Sequence, residues 1–537
     1  MTASTTTANS TWSPLCHAIF RSLWIASLVS NLGTWMQNVA GVWLMTTQTN
    51  SATLVALMQT ATSLPVLLIG LPAAALADIF DRRRLILIAG VWMLISATML
   101  SLLTFGGVIS AAWLLILTFA LGLGSALSIP AWQAIIPEVV PPEELHAAIT
   151  LNGITINIAR ALGPAMGGFI VATAGVGAVF LLNALSFIAI LWVVFTWRRP
   201  EQDNVLPAER LLGAMRAGLR YVRYARSLRT ILLRVGVFIF FASALWALMP
   251  LVARKELGMD SSGYGVLLGC IGIGAVCGAM ILPKIRSALP ANRLIALAML
   301  LFALATLALA FVKQIVFLGM LMIAGGVAWI TLMSNFNVAV QTAVPQWVQA
   351  RSLGFYLIVF QGGMAIASAA WGALADFAGN STALACAAAG LFAGACFSTR
   401  WLFKGKDQHD LTPSLHWPEP HLMIKPGSQE GPVMVMLEYT IEPAHASDFL
   451  KELHSLGRIR RRDGAFFWSV FYDPSVAGRF VETFAVETWL EHLRQHVRVT
   501  KADLRTEARV KSFQVGGGKP AVVHLIHVDR RNKAILP

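Results

Sequence analysis

Long apolar stretches of this sequence contain a few polar side chains whose types and spacing could bind a solute. Asn31, Trp35 and Asn38 recur at i, i+4 and i+7, so they share one face of a helix, and Asn157 and Arg160 share another. An arginine within a membrane-spanning helix is costly and usually faces a bundle interior or an aqueous cavity. Arg160 is therefore predicted either to bind or gate solute, or to be a structural arginine that binds helix-end carbonyls.

Five further amides are weaker candidates for solute binding: Gln59, Asn335, Asn337, Gln341 and Gln361. Asn335 and Gln361 could contact a solute, although amides also form hydrogen bonds that hold helices together. No Asp or Glu lies in the middle of an apolar stretch, so the usual titratable group of a proton relay is not evident. The five cysteines lack metal-ligand spacing, and we predict no metal, no cofactor and no catalytic residue.

A charged stretch, ALADIFDRRRL, interrupts the apolar sequence from Ala75 to Leu85. A short acidic and basic cluster at a membrane edge can break and remake ion pairs as helices move, at little cost in the wet interface. The alternative is an anchor of positive charge on the cytoplasmic side, which accounts for the arginines but not for Asp78. We predict that the charges form a conformational latch.

Composition places most of the chain in a lipid bilayer. The 537 residues are 56% hydrophobic and 13% charged, and the mean hydropathy is +0.67. Such a chain has too few charges for a soluble globular protein. Apolar runs long enough to span a membrane predict twelve transmembrane helices in an all-α membrane protein. They lie near 18–46, 52–77, 85–106, 109–135, 146–173, 176–197, 230–252, 263–283, 293–312, 315–341, 350–375 and 380–403.

The distribution of lysine and arginine predicts the orientation of these helices. Basic residues concentrate in alternate loops, such as 198–229, whereas the loops TQTNSAT, FGGVIS and AGVGA carry no charge. Because basic loops remain on the cytoplasmic side, both termini should be cytoplasmic. The net charge of +14 is then explained without nucleic acid as a partner.

The pattern of spans and loops divides the chain into five regions. A six-helix half, a basic loop, a second six-helix half, a Pro-rich linker and a soluble domain are predicted at 1–197, 198–229, 230–403, 404–431 and 432–537. The basic loop contains either an amphipathic helix on the inner leaflet or a solvated connector. In the soluble domain the order is strand, helix, strand, strand, helix, strand, which is that of an α+β ferredoxin-like sandwich. Its first helix should run from Pro443 to Leu456 and end at Gly457.

The charged stretch resembles the loop between the second and third helices of the major facilitator superfamily. Asp78, Arg82 and Arg83 match the family pattern, whereas Ala74 and Asp81 stand where it has glycine. The resemblance implies that these charges form contacts between helices and hold one access state closed. GPAMGG resembles the antiporter motif of facilitator exporters, with small residues for close packing and a proline for bending. The motif residues are Gly163, Pro164, Gly167 and Gly168.

The stretch from Gly122 to Gly168 resembles the subgroup that includes the enterobactin exporter and other transmembrane secretion effectors. The resemblance implies a secondary active transporter that exports a small amphipathic organic solute, siderophore-like or drug-like, by alternating access with proton coupling. The expected partners are that solute and the lipid bilayer, and the protein is predicted not to be an enzyme.

The C-terminal region resembles ferredoxin-like domains of the antibiotic-biosynthesis-monooxygenase type, some of which bind haem or oxidise aromatic compounds. An alternative function is therefore a membrane-anchored sensor or monooxygenase-like enzyme whose C-terminal domain binds an aromatic ligand or haem. His492 and His496 could present two nitrogens on one helix face, but we interpret them as half-exposed packing residues. AFFWSVFY has aromatic residues on both faces of a strand, which predicts a homodimer through this domain.

Overall fold

The computed structural model describes residues 12–197, 211–400, 410–414, 416–417, 426–518 and 520–528. The chain forms two compact units. The first unit comprises Met1–Ala208, Leu232–Val338 and Gly354–Phe403. The second comprises Glu209–Ile231, Ala339–Leu353 and Lys404–Pro537.

Long helices make up the described part of the first unit, and three of them continue into the second. The first helix set is α1 Ala18–Gln48, α2 Ala52–Ile79, α3 Arg82–Phe105, α4 Ala111–Val139, α5 Leu145–Ala174 and α6 Val176–Thr196. After α7, Leu211–Tyr224, the second helix set is α8 Arg226–Leu251, α9 Ser261–Ala288, α10 Ala291–Phe311, α11 Ile315–Thr342, α12 Gln346–Ala378 and α13 Asn380–Arg400.

Short polar side chains fix where several of these helices begin. Ser51, Asp81, Ser110 and Asp260 each accept a hydrogen bond from the backbone N–H three residues further on. Such caps satisfy one of the four amide donors that a helix N-terminus leaves without a partner. At these four helices the predicted span begins within three residues of the observed start, because a polar cap precedes the apolar run.

Eleven helices within the described residues are long and apolar enough to cross a membrane, and the chain is a multi-pass membrane protein. α1 has 31 residues but is not among the eleven. Its amide residues Asn31, Gln37 and Asn38 lower its hydropathy. The twelfth predicted span therefore corresponds to α1, which is long enough to cross a membrane but is not among the sufficiently apolar helices.

The described part of the C-terminal region contains a four-stranded antiparallel sheet in the order β2-β3-β1-β4. Three helices accompany the sheet, one more than predicted. In chain order the elements are β1 Val433–Thr440, α14 Ala446–Asp463, β2 Phe467–Tyr472, β3 Arg479–Val486, α15 Trp489–Arg498, α16 Lys501–Lys511 and β4 Ala521–Ile526.

The predicted end of the first domain helix at Gly457 is wrong. α14 continues to Asp463 and ends before Gly464, whose φ of 154° suits glycine. Gly457 lies inside the helix because the indole of Trp468 covers it, and a Cβ there would collide with that ring. Trp468 belongs to the domain core, as do Phe449 and Phe484.

The ordered structure of this domain extends into the predicted linker. Ser414 donates its backbone N–H to the Val499 carbonyl at 2.9 Å, and Pro413 pairs with Thr500. Trp417 donates its indole N–H to Glu507 at 3.0 Å. Residues 410–417 should therefore be included in any fragment meant to represent the domain.

Candidate functional site

Arg160 and Trp35, which the sequence predicts as site residues, lie together between α5 and α1. The Arg160 guanidinium carbon is 5.7 Å from the centroid of the Trp35 ring, in a cation–π arrangement. Gly163, one helical turn further along α5, allows this approach because the Trp35 Cβ occupies the space of its missing side chain. Within the described residues, the half-buried guanidinium has no hydrogen bond or ion pair. Its N–H donors are therefore unused among the described residues.

Most of the other predicted amides fall into two groups. Asn31 donates to the Ser27 carbonyl and Asn335 to the Thr331 carbonyl, both at 2.7 Å and both within their own helices. Side chains of the second group are half-buried and make no hydrogen bond within the described part of the chain. They are Asn38, Asn157 and Gln361.

Sequence reasoning missed a buried amide pair and an aromatic cluster. Gln37 of α1 accepts a hydrogen bond from Asn183 of α6. Trp329 of α11 lies at the centre of a cluster in the second helix set, with ring centroids 5.2 to 6.0 Å from its own. Its neighbours are Phe238, Trp246, Phe302 and Phe360. Phe360 directly precedes the candidate Gln361. This adjacency was the only feature of the sequence that could have pointed to the cluster.

The arginines of the charged stretch bind helices of the first set. Arg82 donates to Glu138 at 2.5 Å and to the Ala134 carbonyl at 3.0 Å, both on α4. Arg83 donates to the Val194 carbonyl at the end of α6, at 3.0 Å. These are contacts between helices, and the acidic partner Glu138 had not been identified from the sequence. The side chain of Asp78 lies outside the described residues.

The four residues of the GPAMGG motif place α5 against two other helices. Gly163 and Gly167 face α1, where a Cβ on Gly167 would lie 2.8 Å from the Met36 Cα. Gly168 faces α9 of the second helix set, and its Cα is 3.2 Å from where a Cβ on Gly265 would be. A Cβ on Gly265 would also lie 2.7 Å from the Pro164 carbonyl oxygen. The motif thus allows backbone contact between the two helix sets.

Replacing Gly168 with alanine should destabilise this contact. The added Cβ would collide with the Ser261 carbonyl, and overpacking of this kind costs about 1–3 kcal/mol. We expect a lower melting temperature. Gly153→Ala is the matched control on the same helix, because nothing lies within 4 Å of a Cβ at that position. Equal stability of the two variants would contradict the packing role of Gly168.

A polar contact also joins the two helix sets, at the start of α2. Asp376 of α12 accepts hydrogen bonds from the Ser51 hydroxyl at 2.7 Å and from the backbone N–H groups of Ala52 at 2.5 Å and Thr53 at 2.9 Å. A carboxylate at a helix N-terminus is stabilised by free amide donors and by the helix dipole. Nearby, Lys255 donates to the Asn50 carbonyl at 2.8 Å. Asp376 is the last residue of the sequence WGALAD. Its position at the end of this stretch was the only feature of the sequence that could have suggested the contact.

His492 of the C-terminal domain is more buried than predicted, whereas His496 is half-buried. His492 is 1% exposed, and its ring centroid lies 4.9 Å from His496 and 4.8 Å from His524 of β4. Burial and the neighbouring histidines lower the pKa of His492 to about 3, and burial with nearby positive charge lowers that of His496 to about 4. Both imidazoles are therefore neutral at pH 7. No group of three or more His, Cys, Asp or Glu side chains among the described residues could hold a metal.

Solved structures of membrane transporters share the fold. A bacterial homolog to the human lysosomal transporter Spinster, in an inward-facing and unoccupied conformation, matches with a TM-score of 0.57 at 16% identity. The match covers 71% of this chain and 94% of that one. A variant of the nucleoside transporter NupG matches with a TM-score of 0.60 at 13% identity, over 71% and 99% of the two chains. The chain therefore shares the fold of these transporters.

Sequence comparison gives the family within that class. The model of the transmembrane secretion effector family matches residues 9–532, so the chain belongs to this family. The Staphyloferrin A transporter of Staphylococcus aureus is 25% identical over 53% of this chain and 72% of that protein. The multidrug efflux pump Tap of Mycobacterium tuberculosis is 26% identical over 61% and 80%. The chain is thus a secondary transporter, and the enzyme alternative is set aside.

Proposed function

We propose that this transporter exports a small amphipathic organic solute, siderophore-like or drug-like, across the bacterial inner membrane. The observation that carries the proposal is the Arg160 guanidinium over the Trp35 ring, with its donors unused among the described residues. Such a pair can bind an anionic or carbonyl group with the cation and an apolar group with the ring. The relatives named for a siderophore and for drugs support this class of solute.

The proposed mechanism is alternating access by two six-helix halves, with α1 as the twelfth span. Asn31, Asn38, Asn157, Asn335 and Gln361 would complete the solute site with the Arg160 and Trp35 pair. Asp78, Arg82 and Arg83 would hold one access state closed through contacts among helices of the first set, while the glycines of the antiporter motif and the Asp376 contact would hold the two halves together on the opposite side. Proton coupling is proposed from the family resemblance.

The proposed orientation places both termini and the basic loop in the cytoplasm. Support comes from the basic residues at the start of α3 and throughout α7, because positive loops remain inside. The loop that contains Asn50 and the ends of α2 and α12 that meet near it would then face outward. Accordingly, the Asp376 contact would close the external side.

For the C-terminal domain we propose a ferredoxin-like fold that forms a homodimer. The strand order and the pairing of β1 with both β3 and β4 support this fold. The register puts five half-buried or exposed apolar side chains on one sheet face. They are Met434, Phe467, Phe471, Val523 and Leu525.

A fragment spanning residues 410–537 should sediment as a dimer, because pairing of the two sheet faces would remove these side chains from water. Phe471→Glu places a charge on that face and should yield a monomer with an unchanged far-UV circular dichroism spectrum. Sedimentation of the parent fragment and of the Phe471→Glu variant at tens of micromolar distinguishes a dimer from a monomer. A monomeric parent fragment would contradict the homodimer.

Comparative metabolite profiling tests the proposed function. Culture medium from cells with and without the protein is compared, with and without iron limitation. We expect at least one organic solute to accumulate in the medium in a protein-dependent manner. Identical media under both conditions would contradict export of a cellular metabolite.

A further inference from the structure

The second compact unit joins the C-terminal domain to two segments that connect membrane helices. One is α7, which lies between α6 and α8 along the chain. The other is Ala339–Leu353, called here the α11–α12 segment. α7 packs against α14. The two segments are therefore part of one folded body with the domain.

Aromatic side chains form the core of this junction. Tyr221 of α7 is 2% exposed, and the edge of its ring meets Trp347 of the α11–α12 segment at a centroid distance of 5.6 Å. Two guanidinium groups of the domain cover these rings, Arg462 at 5.5 Å from Tyr221 and Arg498 at 4.5 Å from Trp347. All three parts of the unit thus meet at one desolvated cluster.

A largely buried ion network surrounds the aromatic pair. Glu491 of α15 accepts hydrogen bonds from Arg220 of α7 at 3.1 Å and from Arg498 at 2.5 Å. Removal of one partner from such a network leaves an uncompensated charge away from water. By contrast, Arg216 and Glu487 are 3.6 Å apart and both exposed, so this pair contributes little.

These contacts show that neither interpretation of the basic loop is complete. α7 is a helix, but its Arg220 and Tyr221 side chains face the C-terminal domain. Leu219 is 60% exposed, and Arg216 is largely exposed beside Glu487 at the edge of the domain. The helix is therefore neither a free connector nor bound to the leaflet by its whole surface.

We propose that the C-terminal domain is a clamp that fixes α7 to the α11–α12 segment, and that transport at full rate requires this clamp. Alternating access moves the two helix sets relative to each other, and α7 belongs to the connection between them. Fixing α7 to a segment of the second set makes this part of the connection move with that set. The proposal concerns a role of the domain outside the solute path.

Hydrogen exchange of α7 in the purified full-length protein tests the clamp. Tyr221→Ala and Arg220→Glu should raise the amide exchange rate of α7 at least about tenfold. Each substitution disrupts a buried contact, and the stabilising free energy lost with such a contact corresponds to more than a tenfold change in rate. Tyr221→Phe keeps the ring and should behave as wild type, as should Arg216→Glu at the exposed pair. Protection of β1 reports in each variant that the domain remains folded.

Export by the same variants tests the consequence, and this readout rests on the proposed function whereas hydrogen exchange does not. At equal protein level, Tyr221→Ala and Arg220→Glu should export more slowly than wild type, with Tyr221→Phe unimpaired. Unchanged α7 exchange in both disruptive variants would overturn the clamp. Faster exchange with undiminished export would overturn its role in transport.

Discussion

Replacing Arg160 with alanine should reduce export by about 30-fold or more, since loss of one partner from a desolvated charged contact costs at least about 2 kcal/mol. Trp35 would keep its place against Gly163, so the apolar part of the site would persist without its cation. Arg160→Lys should restore export only in part, because an ammonium lacks the planar fork of a guanidinium. Efflux of the solute identified by metabolite profiling measures both variants.

Two controls separate solute binding from a structural role of Arg160. The alanine variant should insert normally and melt near the wild-type temperature, since the guanidinium has no hydrogen bond to lose among the described residues. Added solute should raise the melting temperature of wild type but not of the variant. Wild-type export by Arg160→Ala would return this residue to the structural alternative.

Replacing Asp376 with asparagine should open the contact between α2 and α12 and raise the population of the opposite access state roughly tenfold. The amide keeps the size of the side chain but loses the charge that three donors and a helix N-terminus stabilise. Hydrogen bonds to a charged acceptor contribute about 1 kcal/mol more than neutral ones, and the helix dipole adds to this. Export should slow because the equilibrium between access states is displaced.

A buried cysteine reports this opening. Ser261 is 3% exposed and its hydroxyl donates to the Gly168 carbonyl, so Ser261→Cys in a protein without other cysteines places a thiol in the contact between α5 and α9. Asp376→Asn should speed its reaction with a membrane-impermeant thiol reagent. Glu256→Gln is the control, because the contacts of Glu256 with Lys313, Asn380 and Ser381 lie within the second helix set. Equal labelling in both variants would contradict a role of Asp376 in closure.

Hydropathy predicted the long helices well because lipid requires continuous apolar runs, but it set their ends poorly. The fourth span was expected at 109–135, whereas α4 continues to Val139 through Pro137. α16 was missed because its sequence is mostly polar, although Thr500 and Asp503 form a capping box that marks its start. Local signals of this kind were present in the sequence and could have been used.

The sequence indicated the candidate site only where a single residue carries a large free-energy cost in its surroundings. Arg160 could be identified because an arginine in an apolar helix needs a partner or a cavity. The contact of Asp376 with the start of α2 could not, because backbone donors carry no sequence signature and the pairing joins residues far apart in the chain. The contact of Tyr221 with Trp347 depends in the same way on three distant segments meeting in one unit.

The most direct test of the account is accumulation of the profiled solute in energised inside-out membrane vesicles. Export from the cell becomes uptake in this orientation, so wild-type protein should concentrate the solute inside the vesicles and Arg160→Ala at equal abundance should not. Collapse of the proton gradient should abolish the accumulation if coupling is as proposed. Absence of accumulation by correctly inserted wild-type protein, or equal accumulation by Arg160→Ala, would contradict the account.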